Sequence, residues 1–259
     1  MNGELIRLLQ RFSDKRTPYV LATVVEVLGS SSAPPASRAV FDSRGKLVIG
    51  WIGGGCAQSI VAHAALDSLG DGKSRMIDID LNDEIFGAAM PCGGNKRVFV
   101  EPVIPNPMLW LLGRGTLVQQ ICELASRMDF DVLVNDAEAT ADSLPSATCV
   151  INDDQQYRQL APRAGDFVVI ATHHRGDYEA LRRTLHSEAA YIGLVASRHR
   201  ASLVLERLRG EGFSQDQLKR IQAPAGIPIS SITPQEIALS IVAELVRQRR
   251  SSADHAPRR

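Results

Sequence analysis

From Met108 onward, short apolar runs alternate with helix-like segments, and this alternation restricts the fold more than any other feature of the chain. The runs fall at 108–112, 131–134, 148–151, 167–171 and 190–194. Helical spacing of apolar residues fills 116–128, 177–185, 199–210 and 234–249. Strands that alternate with helices imply a parallel, doubly wound sheet. Just before this region stands Pro102-Val103-Ile104-Pro105-Asn106-Pro107. Three prolines in six residues make a stiff connector and predict a domain boundary. The expected organisation is an N-terminal domain over 1–104, a second domain over 105–250 and a polar tail over 251–259.

The first part reads as α+β. An N-terminal helix covers 1–17, with Leu5, Ile6, Leu8, Leu9 and Phe12 on its apolar side. A β-branched strand covers 19–27, and a polar loop covers 29–36. Runs 39–42 and 46–49 flank Asp42-Ser43-Arg44-Gly45, which predicts a hairpin. A helix at 57–69 is followed by strands at 75–81 and 97–103. The fold class expected for the whole chain is α/β, with an N-terminal α+β domain before the parallel sheet.

Twenty-nine basic and 29 acidic residues leave no net charge. That gives no electrostatic basis for nucleic acid or a membrane surface as partner. No run of eighteen apolar residues exists, so no transmembrane helix is expected. Four cysteines without the layout of an export signal point to free thiols in a reducing cytoplasm.

Two of those cysteines adjoin glycine runs, in Gly53-Gly54-Gly55-Cys56 and Pro91-Cys92-Gly93-Gly94. Without a Cβ, a glycine lets backbone and thiol approach something bulky and polar. Cys56 opens a predicted helix, where the positive helix end favours thiolate over thiol. A thiolate ligates soft metals and attacks electrophiles. The alternative for Cys56 is a small buried residue in a turn. Cys122 and Cys149 read as core residues. Zinc is not expected, because Cys56 and Cys92 are 36 residues apart with no paired ligand nearby.

In the second part, Gly113-Arg114-Gly115 between strand and helix is a partial dinucleotide fingerprint. Asp136, 21 residues after Gly115, stands where an acid would meet a ribose hydroxyl. Val118 fills the third glycine position, which weakens the fingerprint. The element is either a phosphate cradle or a plain turn before a helix. His173 follows the strand at 167–171, and Ser197 and Arg198 follow the strand at 190–194. In an open α/β sheet such positions border the ligand crevice. Asp177 is expected to cap the next helix. No G-x-S-x-G occurs, and no catalytic residue is assigned. The stripe Ile237, Ile241 and Leu245 either covers the sheet or forms a dimer contact.

In order and spacing these segments resemble the xanthine dehydrogenase accessory protein family (XdhC/CoxI). The residues that carry the likeness are 29–36, 50–58, 91–94 running to Glu101-Pro102, 112–115, 166–177, 191–200 and 224–245. The resemblance implies a Rossmann-like second domain and a maturation factor that need not be an enzyme. It implies binding of molybdenum cofactor (molybdopterin), help with its sulfuration, and delivery to a molybdenum hydroxylase apo-enzyme of the xanthine, aldehyde or carbon monoxide dehydrogenase type. A cysteine desulfurase is the implied sulfur donor, and a homodimer the implied assembly. The implied cofactor-binding residues are Gly54, Gly55, Cys56, Cys92, Gly93, Gly94, Gly113, Gly115, Asp136, His173, Ser197 and Arg198, with Cys56 the contact for the metal. A dinucleotide at the Rossmann-like domain is the further expectation, and an NAD(P)-binding oxidoreductase the alternative function. Gln58 stands where the family usually has an acid, and Ala196 and Ser230 stand where it has glycines. These departures suggest a divergent subgroup.

Overall fold

The computed structural model describes residues 3–29, 32–80, 94–172 and 176–254, with side chains as far as 251. The chain forms two compact units, Met1–Pro105 and Asn106–Ser252.

The first unit is an antiparallel sheet with a helix on one face. Its elements are α1 (Gly3–Asp14), β1 (Tyr19–Gly29), β2 (Arg38–Asp42), β3 (Leu47–Gly50), α2 (Gly55–Asp71), β4 (Arg75–Asp80) and β5 (Gly94–Val103). The strand order is β3-β2-β1-β5-β4. Val20, Ala22 and Val24 alternate inward along β1, as do Val98 and Val100 along β5. They meet Ala57, Val61 and Ala65, which recur every fourth residue on α2. The predicted hairpin turn is held by Asp42, whose Oδ1 accepts from Arg44 N and Lys46 N, both at 2.9 Å. The amphipathic α1 rests at one end, where Phe12 stacks on Tyr19 at 5.2 Å.

The second unit is a six-stranded parallel sheet. It comprises β6 (Met108–Gly113), α3 (Thr116–Arg127), β7 (Asp131–Asn135), β8 (Cys149–Ile151), β9 (Phe167–Ala171), α4 (Asp177–Thr184), β10 (Tyr191–Leu194), α5 (Arg198–Gly210), α6 (Gln215–Lys219), β11 (Ile221–Gln222) and α7 (Pro234–Asp254). The order β11-β10-β9-β6-β7-β8, with every neighbouring pair parallel, is that of a Rossmann fold. The order reverses between β6 and β9, and ligands of such sheets sit at the carboxyl ends there.

Alternation along the central strands splits the core into two layers. Leu109, Leu111, Val132, Val134 and Val169 face α3 and α7. Trp110, Leu112, Leu133, Val168 and Ile170 face α4, α5 and the segment around Tyr157. Ala238, Ile241, Val242 and Leu245 of α7 are buried on the sheet, so the predicted stripe is used for covering it.

Two expectations need correction. Cys149 is exposed, not core, because β8 is an edge strand. Asp177 does not cap α4, since Gly176 takes the N-cap position and makes no side-chain cap. The Asp177 carboxylate turns inward instead, where it accepts from Thr172 Oγ1 at 2.5 Å.

Candidate functional site

The glycine run before α2 forms a bare, open turn. Gly53 has φ +121, a left-handed value that a side chain would strain. Gly54 is the N-cap, with no side-chain cap hydrogen bond, and no acidic residue lies in the first turn of α2. A Cβ on Gly54 or Gly55 would meet no atom of the described residues within 4 Å. The amides at a helix start have no intrahelical partner, and no described side chain caps them here. Cys56 is the second residue of the helix and is exposed.

Beneath this turn lies a residue that the sequence pattern did not single out. Lys96 takes an inward position on β5, in line with Gly94, Val98 and Val100, and is only 3% exposed. Its Nζ donates to Ile52 O at 3.0 Å. A Cβ on Gly53 would overlap that same Nζ. The ammonium group therefore fixes the carbonyl just before the glycine run and puts a positive charge under it. The signal lies in the alternation of β5, where a lysine stands at a core position.

Gly94 opens β5 opposite Gly29 of β1. Cys92 and Gly93 lie outside the described residues, as does His173.

In the second unit, Gly113 and Gly115 have φ of +128 and +89. A Cβ on Gly113 would collide with the Ala171 carbonyl, so the ends of β6 and β9 press together where the strand order reverses. Gly115 is the N-cap of α3, without a side-chain cap. Val118, at the third glycine position of the fingerprint, is absorbed into the core at 1% exposure. Asp136 follows β7 directly. Its Oδ1 accepts from Glu138 N at 2.9 Å and stands 3.8 Å from Arg114 Nη1. Arg114 also pairs with Glu138.

The neighbouring strand ends hold Asp177, Thr172 and Arg200. Arg200 Nη2 lies 3.4 Å from Asp177 Oδ2. Ser197 caps α5 by accepting from Arg200 N at 3.2 Å, and Arg198 is exposed on the first turn. The structure therefore brings Gly113, Gly115 and Asp136 to one edge of the parallel sheet. Gly54, Gly55 and Cys56 share the separate α2 turn. Among the described residues no group of three or more His, Cys, Asp or Glu is placed to hold a metal ion. No described helix is long and apolar enough to cross a membrane.

The described thiols differ in exposure: Cys56 and Cys149 are exposed and Cys122 is buried. Burial, with a smaller contribution from Glu123, pushes Cys122 up to about 11. At pH 8 iodoacetamide is expected to modify Cys56 and Cys149 in the native protein, and Cys122 only after unfolding. Peptide mass spectrometry of the alkylated protein checks this.

A family model described as the XdhC Rossmann domain matches residues 109–245, and one described as the XdhC and CoxI family matches residues 13–80. The uncharacterized protein YqeB of Escherichia coli is 29% identical over 92% of this chain, which spans 44% of that protein. The molybdenum cofactor insertion chaperone PaoD of Escherichia coli is 24% identical over 89% of this chain and 83% of its own length. A probable xanthine dehydrogenase subunit of Bacillus subtilis is 29% identical over 61% of this chain, which spans 47% of it. A solved Bacillus halodurans structure, described as a xanthine dehydrogenase, superposes with a TM-score of 0.51 and 23% identity over 95% of this chain and 96% of its own. That last likeness concerns the fold.

Proposed function

Because this chain belongs to the XdhC and CoxI family, we propose that it binds molybdenum cofactor and assists its maturation for a molybdenum hydroxylase. Similarity to the insertion chaperone PaoD along most of both chains supports that role. The observation that carries it is Cys56, an exposed thiol at an uncapped helix start behind three glycines. Molybdenum and dithiolene sulfur are soft, and a thiol is a matching donor. The open space over Gly54 and Gly55 leaves room for a bulky group. Cys56 would meet the metal or the dithiolene edge, while the amides at the start of α2 and the charge of Lys96 would favour an anionic ligand. When bound, the cofactor supplies the molybdenum centre that the client hydroxylase needs. This chain's part is to hold it, shield it during exchange of an oxo for a sulfur ligand, and release it. A cysteine desulfurase is the sulfur donor in this scheme, the cytoplasm its setting, and a homodimer its assembly.

The second unit contributes a phosphate cradle at Gly113, Gly115 and the start of α3, with Asp136 beside it. We assign to it a dinucleotide.

Anaerobic purification under reducing conditions, from cells that make a molybdenum hydroxylase, tests the proposal. Stoichiometric molybdenum with pterin fluorescence after oxidation is expected. A protein free of both that binds NAD(P) saturably would instead favour the oxidoreductase reading. A protein free of both that still captures the apo-hydroxylase would reduce it to a docking scaffold.

A further inference from the structure

Among the described residues, a single aromatic side chain stands with the exposed large hydrophobic ones, and it sits beside the glycine turn of the first unit. Trp51 is 48% exposed and lies two residues before the Gly53-Gly54-Gly55-Cys56 run. Its indole packs into none of the core clusters and makes no ring or cation contact with a described residue. An indole offers roughly 200 Å² of surface, which folded chains usually commit to a core or an interface. The second tryptophan follows that rule, since Trp110 lies in the parallel sheet at 8% exposure.

The backbone on both sides of Trp51 is fixed. Trp51 N donates to Arg38 O at 2.9 Å. Gly50 packs so tightly on the same carbonyl that a Cβ would overlap it. Ile52 O accepts from the buried Lys96 Nζ at 3.0 Å. Beyond the turn, Gln58 N donates to Gly54 O at 3.1 Å. Ile52 and Gly53 are buried, whereas Trp51, Gly54, Gly55 and Cys56 are exposed. The chain thus dips inward for two residues and returns to the surface. Three peptide units join Trp51 to Gly54, so their Cα atoms are at most about 11 Å apart. An indole and a thiol therefore flank two glycines at whose Cβ positions no described atom lies within 4 Å.

Each part of this arrangement answers a different part of one ligand. A thiol suits a soft metal or a dithiolene. An indole face suits a flat heteroaromatic ring, because stacking needs only a π system. Bare glycine backbone between them lets a flat group lie close.

We propose that Trp51 is the residue on which the pterin ring of the molybdenum cofactor stacks, with the dithiolene end at Cys56 and the ring reaching back over Gly55 and Gly54. The proposal rests on the cofactor reading above and adds the group that recognises the pterin. The fixed backbone limits the freedom lost when the ring is covered.

Tryptophan emission of the full chain tests this, because only Trp51 and Trp110 contribute. In protein freed of cofactor, acrylamide is expected to quench the exposed Trp51 and to leave the buried Trp110 largely unquenched. In protein purified anaerobically with molybdenum and pterin, the quenchable fraction is expected to be largely lost. Trp51→Leu should show no such difference between its two states. That variant is also expected to lose the cofactor on dialysis about tenfold faster, and Trp51→Phe, which keeps a ring, to restore most of the retention. Equal quenching of loaded and cofactor-free unmodified protein would overturn the role of Trp51, even if the variants failed to fold. Unchanged retention by Trp51→Leu would overturn it too, and if capture of the apo-hydroxylase were lost instead, the indole would belong to the client surface. Unmodified protein that holds neither molybdenum nor pterin would overturn the cofactor reading itself, and this proposal with it.

Discussion

Replacing Gly113 with alanine is expected to destabilise the second unit by about 3 kcal/mol or more. Two separate costs fall on one atom. The backbone at Gly113 has φ +128, which a residue with a Cβ rarely adopts. The Cβ would also occupy the space of the Ala171 carbonyl oxygen. Neither partner can move easily. Gly113 is paired in register with Ala171, and the preceding pair is Leu112 with Ile170, both fully buried. Separating the strand ends would disrupt the ladder and open a gap in a close-packed core. Gly210→Ala is the control, since a Cβ at the end of α5 meets no atom of the described residues within 4 Å and alanine suits a helix better. Urea unfolding of both variants settles the matter. A Gly113→Ala midpoint equal to that of the unmodified protein would mean that the β6–β9 junction is looser than described. Dinucleotide binding by the same variant should also be lost, because α3 begins three residues further on.

The parallel sheet was legible because its strands are buried on both faces. β9 reads Phe-Val-Val-Ile-Ala, all five residues buried, and its sequence-predicted limits coincide with the observed ones. Such runs show themselves as continuous apolar stretches. The last strand was not legible. β11 has only two residues, Ile221 and Gln222, and α6 before it has five, too few for any period to appear. Cys149 looked like core because it sits in a strand, but strand order decides burial, and β8 is at the edge.

The polar positions were harder, for a related reason. A charged residue beside a strand reads as surface, yet Lys96 and Asp177 are 3% and 1% exposed. Each is buried with named partners, Ile52 O for Lys96 and Thr172 with Arg200 for Asp177. Asp177 and Arg200 are 23 residues apart, a pairing that only the fold creates. Tyr157 lies in a segment without regular structure, and nothing in its neighbours announces φ +53. Apolar periodicity thus located the frame, whereas the polar groups around its crevice depend on which strand ends meet.

Substituting Cys56 with alanine is expected to lower the molybdenum retained through anaerobic purification at least tenfold, with unfolding unchanged within about 0.5 kcal/mol. The side chain is exposed and packs into no core cluster, so its loss opens no cavity. Its place at the second position of α2 sets it among amides that no described side chain caps. Removing the sulfur removes the soft donor while leaving those amides in place. Cys149→Ala is the control, another exposed cysteine at the edge of the other sheet, and should retain molybdenum as the unmodified protein does. Lys96→Met separates the thiol from the charge beneath it. Methionine fills similar space but cannot donate to Ile52 O, so the turn before Gly53 loses its anchor while Cys56 is still present. Partial retention is expected from that variant, between the values for the unmodified protein and for Cys56→Ala. Full retention by Cys56→Ala would remove the thiol from the site, and the family's cofactor would then have to be held by other groups.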